Sequence, residues 1–220
     1  MPSIAFIHTV PALIETFKPL VERGLPDWDR FNIADESLLQ HTIRDGALSK
    51  NTMRRLGLYV FSAIDAGADA IVVTCSSLGD AVDSIRPFST VPLFRIDSGM
   101  ALAAVEAATR IGVLATLPTT LGPTSRLIEK TATDLNKNCT VVERLCSGAF
   151  ARLQHGDRPG HDELIVAGVQ DLAASVEIVV LAQASMANAL SSLPESKKSV
   201  AVLSSPQLGM VYVAKQLSLT

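Results

Sequence analysis

Cysteine is scarce in this chain: 220 residues hold three, Cys75, Cys139 and Cys146, with no CxxC pair among them. An odd, widely spaced set excludes a disulfide framework and fits a reducing, cytoplasmic compartment. Aromatic residues make up only 5% and the formal net charge is −3, which argues against nucleic acid and against an anionic membrane as partner. No apolar run is long enough to span a membrane. The start of the chain lacks a basic region, and Pro11 and Glu15 interrupt its apolar run, so no signal peptide is expected. The four histidines show no HxxxH spacing and no Cys/His cluster exists, so no metal site is expected. GxGxxG, GxxxxGK[ST] and GxSxG are all missing, which removes the nicotinamide, P-loop and serine-hydrolase readings and leaves no cofactor to expect.

What is present is a core. Hydrophobic residues are 48% and charged ones 19%, a globular composition. Apolar, β-branched runs alternate with amphipathic stretches, the pattern of parallel strands covered by helices. Strands are predicted at Ser3–His8, Asp29–Ile33, Ala70–Thr74, Val91–Ile96, Arg110–Ala115, Cys139–Arg144, Ile178–Ala182 and Ser199–Leu203. Helices are predicted at Ala12–Arg23, Ser49–Ala66, Gly99–Ala108, Thr124–Leu135, Glu163–Ser175 and Gln207–Leu217, with a shorter one from Leu78 to Ile85.

The pattern occurs twice. Ile4-Ala5-Phe6-Ile7-His8-Thr9 matches Ile111-Gly112-Val113-Leu114-Ala115-Thr116 at an offset of 107 (Ile4 to Ile111). Asp69 to Ser77 matches Glu177 to Ser185 at an offset of 108 (Cys75 to Gln183), and Gly99-Met100 matches Gly209-Met210 at 110 (Gly99 to Gly209). Ordered matches with slow drift point to duplication. The expectation is an α/β protein of two pseudo-symmetric Rossmann-like lobes, each a parallel sheet flanked by helices, with an active-site cleft between them. Lobe one is read as residues 1–98 plus about 205–220, and lobe two as 99–204.

The chemistry concentrates at Thr74-Cys75-Ser76-Ser77. Here a buried strand ends and a helix begins, the edge at which ligands of open α/β sheets bind. Backbone N–H groups at such a turn stabilise a thiolate. The plainer alternative is a buried cysteine acting as a small hydrophobe. The matching position in the second copy is Gln183.

These segments, together with Val180-Leu181-Ala182-Gln183-Ala184-Ser185-Met186, Asp35–Leu39, Arg95–Ala101 and Gly156-Asp157…His161-Asp162, resemble the aspartate/glutamate/hydantoin racemase superfamily over almost the full length. The resemblance implies a cofactor-independent, racemase- or isomerase-type enzyme acting on a small carboxylate by cysteine-mediated proton transfer. Typical members carry a cysteine at the equivalent strand end of each lobe. One removes a proton α to a carboxylate and the other returns one. Cys75 occupies the first position, but Gln183 holds the second, and an amide hydrogen-bonds without ionising. A single cysteine also suits decarboxylation, as in the arylmalonate decarboxylase branch, whose cysteine belongs to the other lobe so that this chain would be its mirror arrangement, or thiolate attack, as in the maleate isomerase branch. A non-catalytic small-molecule binder is the alternative of a different class. Homodimers or higher homo-oligomers are common in the family and compatible with this chain.

A carboxylate's α-carbanion needs preorganised donors, since neither metal nor imine is expected to hold its charge. Candidates for substrate contact are His8, Thr74, Ser76, Ser77, Thr116, Thr119, Thr120, Ala184 and Ser185, with Cys75 and Gln183 as the catalytic pair. For the hydroxyl residues helix capping is an equally good account. Asp35 and Asp97 read as helix caps, while His41, His155, His161, Cys139 and Cys146 read as structural or solvated. If Cys75 is the working thiol, alkylation should modify it faster than Cys139 and Cys146, with protection by ligand. Mass spectrometry of partially labelled protein reads this directly, and a plain binder should give no such selectivity.

Overall fold

The computed structural model describes residues 1–190 and 200–219; Ser199 and Thr220 fall outside them. The chain divides into two compact units, Met1–Gly99 with Gly209–Thr220, and Met100–Leu208.

In the first unit the strands are β1 (Ser3–His8), β2 (Asp29–Ala34), β3 (Ala70–Val73) and β4 (Leu93–Arg95), all parallel in the order β2-β1-β3-β4. The helices between them are α1 (Leu13–Gly24), α2 (Glu36–Asp45), α3 (Lys50–Asp65) and α4 (Gly79–Ile85). Strands β1 and β3 are continuous apolar runs because both faces are covered. One face packs Ala5, Ile7, Ile71 and Val73 with Leu56, Val60 and Leu78. The other packs Ile4, Phe6 and Val72 with Phe17, Val21, Met210 and Val213.

The second unit repeats this plan. Strands β5 (Arg110–Ala115), β6 (Thr140–Leu145), β7 (Ile178–Leu181) and β8 (Ala201–Ser204) form a parallel sheet in the order β6-β5-β7-β8. Its helices are α5 (Ser98–Ala107), α6 (Pro118–Asp134), α7 (Ala149–Gln154) and α8 (Arg158–Ala173), and α9 (Ser205–Leu217) follows β8. The two sheets share details as well as order. Asp69 Oδ2 accepts from the Ser3 amide at 2.7 Å, and Glu177 Oε2 accepts from the Arg110 amide at 2.7 Å. The Thr74 amide donates to the Ile7 carbonyl, and the Ala182 amide to that of Leu114. These pairs preserve the offsets read from the sequence.

Several elements differ from the expectation: α8 starts at Arg158 rather than Glu163, β4 covers only Leu93–Arg95 of the strand expected at Val91–Ile96, and three further helices depart from it. Helix α2 was anticipated only by its cap, Asp35, and given no bounds, because its segment carries few apolar residues. It forms because Asp35 accepts from the Ser37 amide as an N-cap, and Leu38, Leu39 and Thr42 are buried. Helix α6 starts at Pro118 rather than Thr124, since a proline in the first turn loses no intrahelical bond. Helix α7 is an added short turn after β6.

The carboxylate of Asp35 anchors more than its helix. It accepts from Ser37 Oγ (2.6 Å), Tyr59 Oη (2.7 Å) and Arg55 Nη2 (2.5 Å), which ties α2 to α3. Burial works to raise its pKa, but the Ser37 and Tyr59 hydroxyls, the Ser37 amide and Arg55 outweigh it and hold the group below the usual carboxylate value. Its stabilisation is therefore present above the unfolded-state pKa and lost as pH falls through the depressed folded value.

Glycine 209 marks where α9 meets β4's end. A Cβ there would sit 2.0 Å from the Ile96 carbonyl oxygen and 2.7 Å from Ile96 Cδ1. Gly209→Ala is expected to destabilise the protein by about 1–3 kcal/mol, although alanine's helix propensity alone would favour it by about 1 kcal/mol. The readout is a lower denaturant midpoint with unchanged slope.

Candidate active site

Strand β3 ends at Val73, and Thr74 and Cys75 carry the chain into a 3₁₀ turn, Ser76–Leu78, before α4. Cys75 is extended (φ −114°, ψ 109°), and its carbonyl accepts from the Leu78 amide at 3.0 Å. The residue is partly exposed, yet burial is the largest influence on the thiol and pushes its pKa up. The Thr9 hydroxyl, the Ser77 and Leu78 amides and the Ser77 hydroxyl oppose that rise as donors to the sulfur. The thiol is thus protonated at neutral pH, with donors already arranged to receive the charge its ionisation creates.

Thr9, buried at the end of β1, was not among the residues singled out from the sequence. The repeat held the signal, because Thr9 occupies the position of Thr116. In the second unit the Thr116 hydroxyl and amide both donate to Gln183 Oε1, at 2.9 and 2.7 Å. These donors also fix which end of the amide is oxygen. The two units therefore share one arrangement, a threonine after the first strand donating to the side chain that follows the third. In one unit the acceptor is a thiol, and in the other an amide oxygen with no proton to give.

The remaining candidates fall into groups. His8 is fully buried, with Nδ1 2.9 Å from Thr74 Oγ1 and Nε2 3.0 Å from Asn32 Oδ1, and its ring packs against Phe6 and Phe17. Burial lowers its pKa against the raising effect of Asn32, so it is neutral at pH 7 and supplies no imidazolium to Cys75. Consistent assignments are Nε2–H donating to Asn32 and the Thr74 hydroxyl donating to Nδ1. Ser76 and Ser77 are buried in the turn beside Cys75. Ala184 and Ser185 open the corresponding 3₁₀ turn, Ala184–Leu190, after Gln183.

Thr119 and Thr120 lie in the first turn of α6. Thr119 Oγ1 is buried without a hydrogen-bond partner, as are Thr124 Oγ1 and Ser125 Oγ of the next turn. An orphaned buried hydroxyl is costly, and donors of this kind suit a carboxylate oxygen. Sequence reading missed Thr124 and Ser125.

Other sequence candidates are accounted for by their neighbours. Cys146 donates to the Leu164 carbonyl at 3.3 Å, and burial raises its pKa as it does that of Cys139. The Asp97 carboxylate, read as a helix cap, is held at both oxygens by Arg95. Among the described residues, no group of three or more His, Cys, Asp or Glu side chains is placed to hold a metal ion. Among them too, no helix is long and apolar enough to cross a membrane.

Two duplicated parallel sheets, with a donor-cradled thiol at the end of one strand, define an α/β protein. The Asp/Glu/Hydantoin racemase family model matches residues 9–213, and the chain belongs to that family of racemase-type, isomerase-class enzymes. Solved structures agree in fold. Glutamate racemase from Francisella tularensis, in complex with D-glutamate, superposes with a TM-score of 0.76 at 15% identity, covering 99% of this chain and 81% of that one. A putative Asp/Glu racemase from Yersinia pestis gives 0.73 at 14%, covering 100% of both chains. Allantoin racemase from Klebsiella pneumoniae gives 0.68 at 17%, covering 100% of this chain and 89% of that one. A comparison with curated proteins finds no significant match.

Thr9→Val keeps the shape of the side chain and removes its donor to the sulfur. Its expected effect is a higher Cys75 pKa, with alkylation at pH 7 slowed about tenfold for a loss of about 1.4 kcal/mol of thiolate stabilisation. Iodoacetamide rates followed across pH measure it.

Proposed function

We propose that this chain is a cofactor-independent enzyme that transfers a proton at the carbon next to a carboxylate, with Cys75 as the transferring group. The observation that carries this reading is the thiol itself. It is held protonated by burial, while Thr9, Ser77 and Leu78 stand ready to stabilise its anion. The substrate class is a small carboxylate, an amino acid or a related carbonyl compound. The D-glutamate held by the Francisella enzyme supports that class. Three unpaired thiols support a cytoplasmic setting.

In the isomerase form of the reaction, the Cys75 thiolate takes the α-proton and the C–H electron pair passes into an enediolate. The S–H so formed, or one exchanged with solvent, returns a proton to carbon. Inversion additionally needs a proton delivered to the opposite face of that carbon. Gln183 cannot deliver it, since an amide neither ionises at neutral pH nor carries an acidic proton.

The same fact favours a second reading, decarboxylation. There the C–C bond to a carboxylate breaks, CO2 departs, and the electron pair left on carbon takes the proton of the Cys75 thiol. Water then reprotonates the sulfur. One donor suffices, and a thiol protonated at the outset is in the required state. Nucleophilic attack, as in cis–trans isomerisation, is less well served, because the raised pKa leaves little thiolate at pH 7.

Incubation of candidate amino acids, hydantoin-type compounds and substituted malonates in deuterated water separates these readings. NMR follows α-deuterium, chiral chromatography follows inversion, and evolved CO2 is trapped. Turnover by any of these routes should fall by about 10²–10⁴ in Cys75→Ala, the usual worth of a general acid–base group. Turnover retained by a folded Cys75→Ala protein would defeat the proposal.

A further inference from the structure

The first unit holds a buried ion cluster next to the thiol's turn. Arg95, the last residue of β4, pairs in register with Val73 of β3. It is only 3% exposed, and its partner Asp97 is fully buried. Arg95 Nε donates to Asp97 Oδ1 at 3.0 Å and Nη2 to Asp97 Oδ2 at 2.9 Å, a bidentate clasp. Nη1 donates to Asp83 Oδ2 of α4 at 2.9 Å. The guanidinium lies against Gly79, where α4 begins: a Cβ there would sit 2.2 Å from Arg95 Cζ and Nη2. Gly79 directly follows Leu78, whose amide is one of the donors to the Cys75 sulfur.

We propose that Arg95 is a positioning residue for Cys75: clamped by Asp97 and Asp83 and laid against Gly79, it fixes the turn that aims the Ser77 and Leu78 amides at the sulfur. This rests on the reading of Cys75 as the proton-transferring group. Stability alone is a poor account of the cluster. A buried ion pair is often matched by well-packed apolar residues of similar volume. The second unit supplies an internal comparison. Its residue matching Gly79 is Ala187, at the same offset of 108 that relates Cys75 to Gln183. Leu181, which matches Val73, pairs with Ser204 rather than with an arginine. Where the strand end carries no thiol, the arginine and the glycine are both replaced.

The experiment uses the full chain and reads the pH profile of Cys75 alkylation, with circular dichroism and thermal melting as controls for folding. Gly79→Ala drives a methyl into the guanidinium and displaces the turn. The expected result is a thiol pKa raised by about one unit and alkylation at pH 7 slowed about tenfold. Arg95→Lys keeps the charge but loses the planar fork, and should shift the profile in the same direction. Because both changes act through one contact, Gly79→Ala added to Arg95→Lys should cause no further shift; additive shifts would overturn the proposal. A folded Gly79→Ala protein with the parent profile would overturn it too, and if that variant fails to fold, an unchanged profile in Arg95→Lys does so. Turnover retained by a folded Cys75→Ala protein would remove the underlying reading of the thiol, and this inference with it.

Discussion

Desolvation of one sulfur atom is the constraint around which the first unit is organised. Burial raises the free energy of the Cys75 thiolate, and the groups around the sulfur answer with donors: a hydroxyl from the end of β1, and two amides and a hydroxyl from the turn after β3. None of these is a full charge, so the thiol keeps its proton at neutral pH. A cationic neighbour would have given the opposite, a standing thiolate. His8 is the obvious candidate for such a neighbour. Its ring is instead fully buried, lowered in pKa and occupied at both nitrogens, by Thr74 and Asn32.

Duplication explains why the site can be understood from half of it. Both sheets run in the same strand order, and both close their first strand with a threonine that donates across to the end of the third. Exchanging cysteine for glutamine at that place keeps an acceptor for the threonine and abolishes a titratable proton. Gln183 is thus a conservative replacement for the local structure and a drastic one for the chemistry. The hydrogen bonds from Thr116, at 2.7 and 2.9 Å, hold the oxygen of its amide.

The two sheets were legible in the sequence because strands covered on both faces are continuous apolar runs, and runs such as Ile4–Ile7 and Ile178–Leu181 have no helical period. Of helix α2 only the cap, Asp35, was legible, since its segment is mostly polar and the partners that hold Asp35, Arg55 and Tyr59, lie on another helix. Helix α6 was read short because Pro118 and Pro123 punctuate it, although only a proline past the first turn removes an intrahelical bond. Cys75 stood out as a candidate because residue type and strand-end position coincide. Thr9 was overlooked although its copy, Thr116, was chosen; applying the repeat in both directions would have found it. The Arg95 cluster could not be read, because spacing along a chain says nothing of which backbone a guanidinium lies against.

Membership of the racemase family fixes the scaffold and the class of enzyme, while the two strand ends of this chain differ, a thiol after the third strand of the first sheet and an amide after that of the second. A thiol protonated by burial is an acid before it is a base. As a base it must first lose that proton to solvent, which raises the barrier by the distance of its pKa above ambient pH. As an acid it is ready, and each donor around it acts only once charge has moved onto the sulfur. Interactions stronger in the transition state than in the ground state are the ones that accelerate chemistry. On the proposed reading of Cys75, the donors around the sulfur meet that condition in the step that protonates carbon.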